Sequence, residues 1–160
     1  MRDNVLVPYD RINVIKDRKT KELIEKKLNV KLDIVENNVE IEGEGLELFE
    51  AKNIIKAIAR GFSPEKAFRL LKEDEQIEII ELRDLSDAKI KIIKARLIGT
   101  NGKTRRLIEF YTGCSVSIYG KTVSIIGSYE QLEIAREAVN MIVSGAKHSN
   151  VYKFLQEAKI

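Results

Sequence analysis

The sequence repeats itself after 84 residues, and this repeat limits the possible folds more than any other feature. Residues 19–43 (KTKELIEKKLNVKLDIVENNVEIEG) align without a gap on residues 103–127 (KTRRLIEFYTGCSVSIYGKTVSIIG). Apolar residues and glycines recur at the same spacing, which indicates two copies of one small domain. We place these domains at residues 1–74 and 75–160, because the charged spacer KEDEQ lies at the boundary.

Each copy predicts the element order β-α-α-β-β-α, an α+β layer of three strands backed by helices. The first strand of each copy is a short apolar run, at 4–8 and at 76–82. Two helices follow, separated by a break near Asp17 in the first copy and near Asn101 in the second. Two alternating strands and a long amphipathic helix come next, and a short extra helix follows each copy.

Capping and turn residues mark where these elements begin and end. Serine and aspartate accept hydrogen bonds at helix starts, and glycine adopts the left-handed conformation just after helix ends. The predicted caps are Asp10, Ser63, Ser86 or Asp87, and Ser149, the predicted C′ glycines are Gly61 and Gly145, and the predicted hairpin turns are Asn37-Asn38 and Gly120-Lys121.

Basic residues are concentrated in the second copy. Residues 1–80 carry 15 basic and 17 acidic side chains, whereas residues 81–160 carry 13 and 8. The stretch 88–108 contains no acid and seven basic residues, namely Lys89, Lys91, Lys94, Arg96, Lys103, Arg105 and Arg106. Such a block is expected at a site for a polyanion, although a solvated helix face has the same composition.

The composition argues against several other classes of protein. No apolar run approaches the ~18 residues of a membrane span, and the start MRDNVLVPYD lacks signal-peptide architecture, so we expect a cytoplasmic protein. Cys114 and His148 are each single, which removes multi-cysteine metal sites and most triad chemistry. Cys114 is expected in the core and His148 in an exposed spacer. We therefore expect no catalytic residue, no metal and no cofactor.

The tripeptide Gly-Lys-Thr at 102–104 raises the possibility of a nucleotide-binding P-loop. That motif requires a glycine five residues before its second glycine, where this chain has Leu97. The second Gly-Lys-Thr, at 120–122, has Ser115 at the corresponding position. The first tripeptide lies between two predicted helices and the second in a hairpin, so neither context favours a nucleotide-binding enzyme.

The segment Gly99-Thr100-Asn101-Gly102 fits a sharp turn between two helices instead. Its glycines let a phosphate approach the backbone without a Cβ in the way, and the helix that begins at Lys103 directs its N–H groups toward that phosphate. This is the arrangement of the KH domain, whose G-x-x-G loop holds about four single-stranded nucleotides. Within a β-α-α-β-β-α unit, the motif favours a type I KH domain.

The candidate RNA contacts surround this loop. We expect bases to lie across an apolar groove floored by Leu97, Ile98, and Leu107 or Ile108, with the strand around 116–118 on its far side. The complete candidate set is Arg96, Leu97, Ile98, Gly99, Thr100, Asn101, Gly102, Lys103, Thr104, Arg105, Arg106, Val116, Ile118, Tyr119 and Lys121.

The second copy resembles the C-terminal KH domain of the Pno-type (partner-of-Nob-one) ribosome-biogenesis proteins, in particular their archaeal members. The resemblance is carried by RLIGTNGKTR (96–105), the hairpin YGKTV, the helix AREAV and the tail GAKHSNVYKFL (145–155). VPYDRI at 7–12 is similar to the entry to the family's first domain, so the resemblance covers both copies.

The resemblance implies a non-catalytic protein that binds single-stranded RNA at the 3′ region of small-subunit ribosomal RNA during processing and subunit assembly. The implied protein partners are a PIN-domain rRNA endonuclease, a dimethyladenosine transferase and the alpha subunit of translation initiation factor two, with no membrane and no DNA partner. Two alternatives stay open: a KH protein for messenger RNA or exosome substrates, and a protein-interaction scaffold acting in translation initiation.

The first copy departs from the KH pattern at the loop. It reads VIKDRKT at 14–20, with no glycine, and Asp17 falls close to where a phosphate is expected. Lys16, Arg18 and Lys19 are candidates only for auxiliary RNA contact. We interpret residues 1–74 as a degenerate KH domain suited to protein contacts, with simple support of the second domain as the alternative.

Overall fold

Apolar residues alternate along the strands of each copy and recur at helical spacing between them, and each copy accordingly forms one sheet packed against helices. The structure, a computed structural model, describes residues 1–158, and the chain divides into two units, Met1–Glu73 and a second beginning at Asp74. The predicted α+β class and the tandem arrangement are confirmed.

The first unit follows the predicted element order. Its elements are β1 (Arg2–Leu6), α1 (Tyr9–Lys16), α2 (Arg18–Leu28), β2 (Lys31–Val35), β3 (Asn38–Glu42), α3 (Gly45–Ala59), α4 (Pro64–Ala67) and a 3₁₀ helix (Phe68–Leu71).

The second unit repeats this order with a longer loop and a longer last helix. Its elements are β4 (Glu75–Glu81), α5 (Asp87–Ile98), a 3₁₀ turn (Thr100–Gly102), α6 (Lys103–Thr112), β5 (Ser115–Tyr119), β6 (Thr122–Ser128), α7 (Tyr129–Val143) and α8 (His148–Ala158).

Both sheets are antiparallel and have the same topology. The strand orders are β1-β3-β2 and β4-β6-β5, so the last strand of each copy is central and β5 is an edge strand. Asp3 lies opposite Ile41 in one register, and Glu78 lies opposite Ile125 in the other. Since Ile41 and Ile125 are 84 residues apart, the structural repeat includes the first strands, which the sequence alignment does not reach.

An ion pair at these equivalent positions ties the first strand of each copy to its long helix. Lys52 Nζ lies 2.8 Å from Asp3 Oδ2, and Arg136 Nη2 donates a 2.7 Å hydrogen bond to Glu78 Oε1. The hydrogen bond from Lys52 lowers the pKa of the Asp3 carboxyl. Lys52 and Arg136 are themselves 84 residues apart, so the two copies use the same connection with different residue types.

The core of the second unit lies between the sheet and its helices. The apolar face of the predicted amphipathic helix, α7, is buried, with Ala135, Val139 and Ile142 at 0% exposure. Cys114 is buried in the same cluster, as predicted. Ile93 and Leu97 of α5 and Ile108 of α6 complete the packing beneath the loop that joins those two helices.

Several of the predicted helix ends and one predicted hairpin turn are confirmed. Ser63 and Ser86 accept hydrogen bonds from the backbone N–H groups of Lys66 and Lys89. Gly61 and Gly145 occupy the C′ positions of α3 and α7 with φ of 103° and 96°. The second hairpin turns at Gly120-Lys121, as predicted.

Two other predicted helix starts and the first predicted hairpin turn are wrong by one or two residues. Pro8 occupies the N-cap position of α1 and makes no side-chain cap, and Asp10 lies in the first turn of that helix. The first hairpin turns at Glu36-Asn37, because Asn38 pairs with Leu6 in the sheet. Helix α8 begins at His148, which places Ser149 inside the helix.

The first strands also begin earlier than predicted. They span Arg2–Leu6 and Glu75–Glu81 rather than 4–8 and 76–82, because pairing with the central strand sets their limits. None of the helices among residues 1–158 combines the length and apolar character needed to cross a lipid bilayer.

Candidate nucleic-acid interface

The loop between α5 and α6 is built from residues with positive φ. Gly99 has φ 74° and ψ 175°, a region that is essentially restricted to glycine. Asn101 (φ 54°) and Gly102 (φ 76°) are both left-handed. A Cβ at Gly99 would lie 2.3 Å from Thr104 Oγ1, so the loop backbone passes directly against the start of α6.

The N-terminus of α6 has no side-chain cap. Its N-cap residue is Gly102, and its first turn contains no acidic residue. In contrast, α5 and α7 are capped by Ser86 and Ser128, and α7 has a complete capping box. The Lys103 N–H is bonded to the Thr100 carbonyl, so the lack of a side-chain cap concerns the N–H groups that follow it. A helix start with a positive dipole end and no anionic cap attracts an anion. Helix α6 is therefore the one of these three that is arranged to receive a phosphate from outside the chain.

Two basic side chains near this helix start are exposed. Lys103 is exposed, and Arg106 is exposed while its Nη1 donates a 2.6 Å hydrogen bond to the Asn101 carbonyl. Arg105 is only 32% exposed, and its Nη1 lies 3.1 Å from Glu109 Oε1. Lys103 and Arg106 are thus the candidates for phosphate contact, whereas Arg105 is already ion-paired.

Fewer of the side chains predicted to line the apolar groove are exposed than the sequence suggested. Leu97 and Ile108 are 0% and 1% exposed, and both belong to the core. Ile98 is 38% exposed, and Leu107 is half-buried, so these two side chains supply the apolar surface near the loop. Val116 is buried on the far side. Leu97, Ile108 and Val116 support the groove from below rather than line it.

Glu109 connects the two sides of this groove, and its role was missed in the sequence. Its Oε2 accepts a 2.9 Å hydrogen bond from the backbone N–H of Val116, which joins α6 to the edge strand β5. Glu25 accepts the same 2.9 Å bond from Leu32 in the first unit. The recurrence of glutamate at positions 25 and 109 is the sequence signal that could have identified it.

Arg96 does not reach the loop surface. Its Nη1 donates a 2.8 Å hydrogen bond to the Ile142 carbonyl, and its Nη2 donates to the Ala146 carbonyl. Arg11 makes the same pair of bonds to Ile58 and Phe62 in the first unit. Since the guanidinium satisfies the C-terminal end of the long helix in both copies, we remove Arg96 from the candidate RNA contacts.

Thr104 and His148 have different surroundings from those predicted. Thr104 is 1% exposed, and its Oγ1 lies 2.8 Å from the Tyr152 hydroxyl. His148 is half-buried, and its Nε2 lies 2.9 Å from the Arg96 carbonyl. The prediction that His148 is simply exposed in a spacer is wrong, because the residue begins α8 and contacts the end of α5.

The remaining candidates lie on the edge strand and its turn. Ile118 and Tyr119 are half-buried, and Lys121 is exposed in the hairpin turn. Lys121 Nζ lies 3.4 Å from Asp87 Oδ1, a solvent-exposed pair that contributes little stability and leaves the ammonium accessible.

The first unit fills the corresponding helix start with its own carboxylate. A single residue, Asp17, joins α1 to α2, and Asp17 Oδ2 accepts a 3.2 Å hydrogen bond from the backbone N–H of Thr20. Lys16, Arg18 and Lys19 are exposed around it. The N-terminus of α2 therefore has an anionic partner within the chain, whereas the N-terminus of α6 has no side-chain cap.

The structure brings together no group of three or more histidine, cysteine, aspartate or glutamate side chains suited to a metal ion within residues 1–158.

Comparison with known proteins identifies the family of this chain. The family model for the second KH domain of PNO1, described as a eukaryotic-type KH domain (KH-domain type I), matches residues 76–160. A KH domain-containing protein of Methanocaldococcus jannaschii is 42% identical over 163 residues, covering 96% of this chain and 72% of the relative. This chain belongs to the PNO1 family of KH-domain proteins. The resemblance to the Pno-type family seen in the sequence is thereby confirmed.

Solved structures similar to this PNO1-family chain cover both units. Dim2p from Pyrococcus horikoshii OT3 is 41% identical, with a TM-score of 0.90 over 98% of this chain and 99% of that chain. A chain in the a/eIF2alpha–aDim2p–rRNA complex from the same organism is 42% identical, with a TM-score of 0.91 over 98% and 93%. A protein of unknown function from Aeropyrum pernix is 33% identical, with a TM-score of 0.91 over 99% and 90%.

Proposed function

We propose that this chain binds single-stranded RNA through its second unit, and that the RNA is the 3′ region of small-subunit ribosomal RNA during maturation of that subunit. The observation that carries the proposal is the uncapped start of α6, which lies behind the Gly99–Gly102 loop and beside the exposed Lys103 and Arg106. The proposed role is binding without turnover, in the cytoplasm.

In the proposed binding mode, the start of α6 contacts the RNA backbone, and the surface between α6 and β5 contacts the bases. A phosphate lies against the N–H groups at the start of α6, and Lys103 and Arg106 contribute positive charge. Bases cross Ile98 and Leu107 toward β5. Val116 N–H is occupied by Glu109, so by the alternation of an antiparallel edge strand the N–H and C=O of Ile118 face the same open edge. We assign base-edge contacts to these Ile118 groups.

The RNA class and the partners are proposed from the relatives. The P. horikoshii complex contains a/eIF2alpha, aDim2p and rRNA, which supports ribosomal RNA and the alpha subunit of translation initiation factor two as partners of this chain. A PIN-domain rRNA endonuclease and a dimethyladenosine transferase are further proposed partners, since the resemblance to the Pno-type family implies both.

The loop is tested with a matched pair of double variants. Thr100→Asp/Asn101→Asp places two negative charges where the phosphate is proposed, whereas Thr100→Ala/Asn101→Ala removes the same side chains without charge. We expect the aspartate variant to lose RNA binding in a fluorescence anisotropy titration, with an unchanged circular dichroism spectrum. The alanine variant should retain most of the affinity. Equal affinity of the aspartate variant and the parent would contradict the proposal.

The identity of the RNA requires a separate measurement. Crosslinking followed by sequencing of the bound RNA in cells should recover the 3′ region of small-subunit rRNA. Recovery of messenger RNA or exosome substrates without that region would support the alternative KH function, while leaving the loop as the RNA site.

A protein-binding role for the first unit is favoured by two exposed apolar side chains on α3. Leu46 and Phe49 are 69% and 61% exposed and lie one helical turn apart. The residues 84 positions later, Glu130 and Glu133, are acidic in the second unit. Since the same helix face is charged in one copy and apolar in the other, we propose that Leu46 and Phe49 contact a protein partner, with the alpha subunit of initiation factor two as the first candidate.

This second proposal is tested by giving the first copy the residues of the second. Leu46→Glu/Phe49→Glu should weaken binding to the purified alpha subunit in isothermal titration calorimetry and leave RNA affinity unchanged. The companion variant Lys16→Ala/Arg18→Ala/Lys19→Ala removes the auxiliary basic residues. Loss of RNA affinity in the companion variant would assign the first unit to RNA instead.

A further inference from the structure

Helix α8 contacts both helices that flank the G-x-x-G loop. The Tyr152 hydroxyl lies 2.8 Å from Thr104 Oγ1 in the first turn of α6. The His148 Nε2 lies 2.9 Å from the Arg96 carbonyl in the last turn of α5. His148 and Tyr152 are one helical turn apart on α8, so a single face of this helix is bonded to both ends of the loop.

The two rings also contact each other and the helix start. Their centroids lie 5.9 Å apart with an interplanar angle of 7°, a stacked arrangement. Lys103 Nζ lies 5.9 Å from the centroid of the Tyr152 ring, within the range of a cation–π contact. Tyr152 therefore contacts two successive residues of α6, one through its hydroxyl and one through its ring.

Thr104 transmits this contact to the loop itself. The side chain is 1% exposed, and the position a Gly99 Cβ would occupy lies only 2.3 Å from Thr104 Oγ1 and 2.8 Å from Thr104 N. A movement of Thr104 therefore changes the space available to the Gly99 backbone. The hydroxyl of Tyr152 is hydrogen-bonded to the same Oγ1 and thereby holds the Thr104 side chain in place.

The first unit lacks this set of contacts. The residues 84 positions before Tyr152 and His148 are Phe68, which has no hydroxyl, and Pro64. Thr20, the counterpart of Thr104, directs its Oγ1 to Asp17 Oδ2 at 3.3 Å instead. The tyrosine hydroxyl and the histidine are therefore present in the copy with the open glycine loop and absent from the copy whose helix start is capped by its own aspartate.

We propose that α8 is a brace for the RNA-binding loop, and that Tyr152 and His148 are positioning residues that hold α5 and α6 at the separation needed for phosphate binding. This inference rests on the proposed RNA-binding function. A loop that is held in its binding conformation loses less entropy on binding, and a fall in the competent fraction weakens the apparent affinity by that fraction.

The test compares two tyrosine-to-phenylalanine variants, each of which removes a single hydroxyl group. Tyr152→Phe deletes the bond to Thr104, and Tyr129→Phe deletes the hydroxyl of an exposed tyrosine at the start of α7 as a control. We expect Tyr152→Phe to weaken RNA binding roughly two- to tenfold, the range of one hydrogen bond. The RNA affinity of Tyr152→Phe should depend on salt concentration as the parent's does, because no phosphate contact is removed. His148→Ala should have an effect in the same direction.

Amide hydrogen exchange without RNA separates bracing from general stability. In Tyr152→Phe, the amides of residues 99–104 should exchange faster while those of β6 and α7 keep the parent rates. Faster exchange throughout the unit, or unchanged exchange and affinity, would overturn the brace.

The outcomes also separate this inference from the function on which it rests. If Thr100→Asp/Asn101→Asp abolishes binding but Tyr152→Phe behaves like Tyr129→Phe, the brace is wrong and the RNA site stands. If the aspartate variant binds RNA as the parent does, the proposed site is wrong, and hydrogen exchange alone decides whether α8 holds the loop.

Discussion

The Glu109 carboxylate of α6 accepts a 2.9 Å hydrogen bond from the backbone N–H of Val116 in the edge strand β5. The same bond, also 2.9 Å, joins Glu25 to Leu32 in the first unit, so it belongs to the repeated fold. In the second unit it has an added consequence, because α6 and β5 are the two sides of the candidate RNA groove. Glu109 therefore joins the two sides of that candidate groove, and we expect it to control the groove's width.

Replacement of this glutamate in the two copies should separate stability from RNA binding. Glu109→Ala and Glu25→Ala each leave a partly buried N–H without its acceptor, and each should cost about 1–3 kcal/mol in free energy of unfolding. We expect only Glu109→Ala to weaken RNA binding as measured by fluorescence anisotropy. A similar loss of affinity in Glu25→Ala would indicate that general stability, not groove width, controls binding.

The conformation of Gly99 predicts a large cost for a single added methyl group. Gly99→Ala combines a backbone region restricted to glycine with a Cβ placed 2.3 Å from Thr104 Oγ1. We expect a loss of about 2–5 kcal/mol in free energy of unfolding by denaturant titration. Gly120→Ala is the control, since its φ is +56° but its Cβ meets nothing within 4 Å. It should lose about 1 kcal/mol, and equal losses would contradict the contact with Thr104.

The salt dependence of RNA affinity should distinguish phosphate contacts from structural arginines. Each phosphate contact on single-stranded nucleic acid contributes about 0.7 to the slope of log affinity against log salt concentration. Lys103→Gln should reduce the slope by about this amount, because its ammonium is exposed at the helix start. Arg96→Gln should leave the slope unchanged and lower the melting temperature, since it loses bonds to Ile142 and Ala146.

Asp17 should behave as a helix cap and not as part of an RNA site. Asp17→Ala removes the acceptor for Thr20 N–H and should cost about 0.5–2 kcal/mol in free energy of unfolding, whereas Asp17→Ser should restore most of it. RNA affinity should be unchanged in both variants. A gain of affinity in Asp17→Ala would show that the carboxylate alone keeps RNA from the first unit.

The parts of the fold that depend on local patterns were predictable from the sequence. The repeat, the α+β class and the glycine ends of α3 and α7 follow from spacing and from residues with a single conformational role. Pairing partners were not: Asn38 was placed in a turn because asparagine favours turns, but its pairing with Leu6 extends the strand. Helix α1 begins before Asp10 because the Pro8 carbonyl accepts the N–H groups of Arg11 and Ile12 and so starts the helical hydrogen bonding.

The candidate site was predictable where it rests on the backbone and unpredictable where it rests on long side chains. The loop 99–102 lies between two helices as the glycines indicated. Arg96 and Lys103 were equivalent as charges in the sequence, yet Arg96 is bonded to two carbonyls 46 and 50 residues away. Contacts at such separations, like that between Thr104 and Tyr152, leave no local pattern.

The capped start of α2 limits how the first copy can change in the future. Helices α1 and α2 are joined by one residue, whereas four residues separate α5 from α6. Building a loop like that of the second copy into the first therefore requires an insertion of residues as well as the loss of the Asp17 cap. Since a point substitution adds no residues, no single exchange is expected to give the first copy the loop of the second.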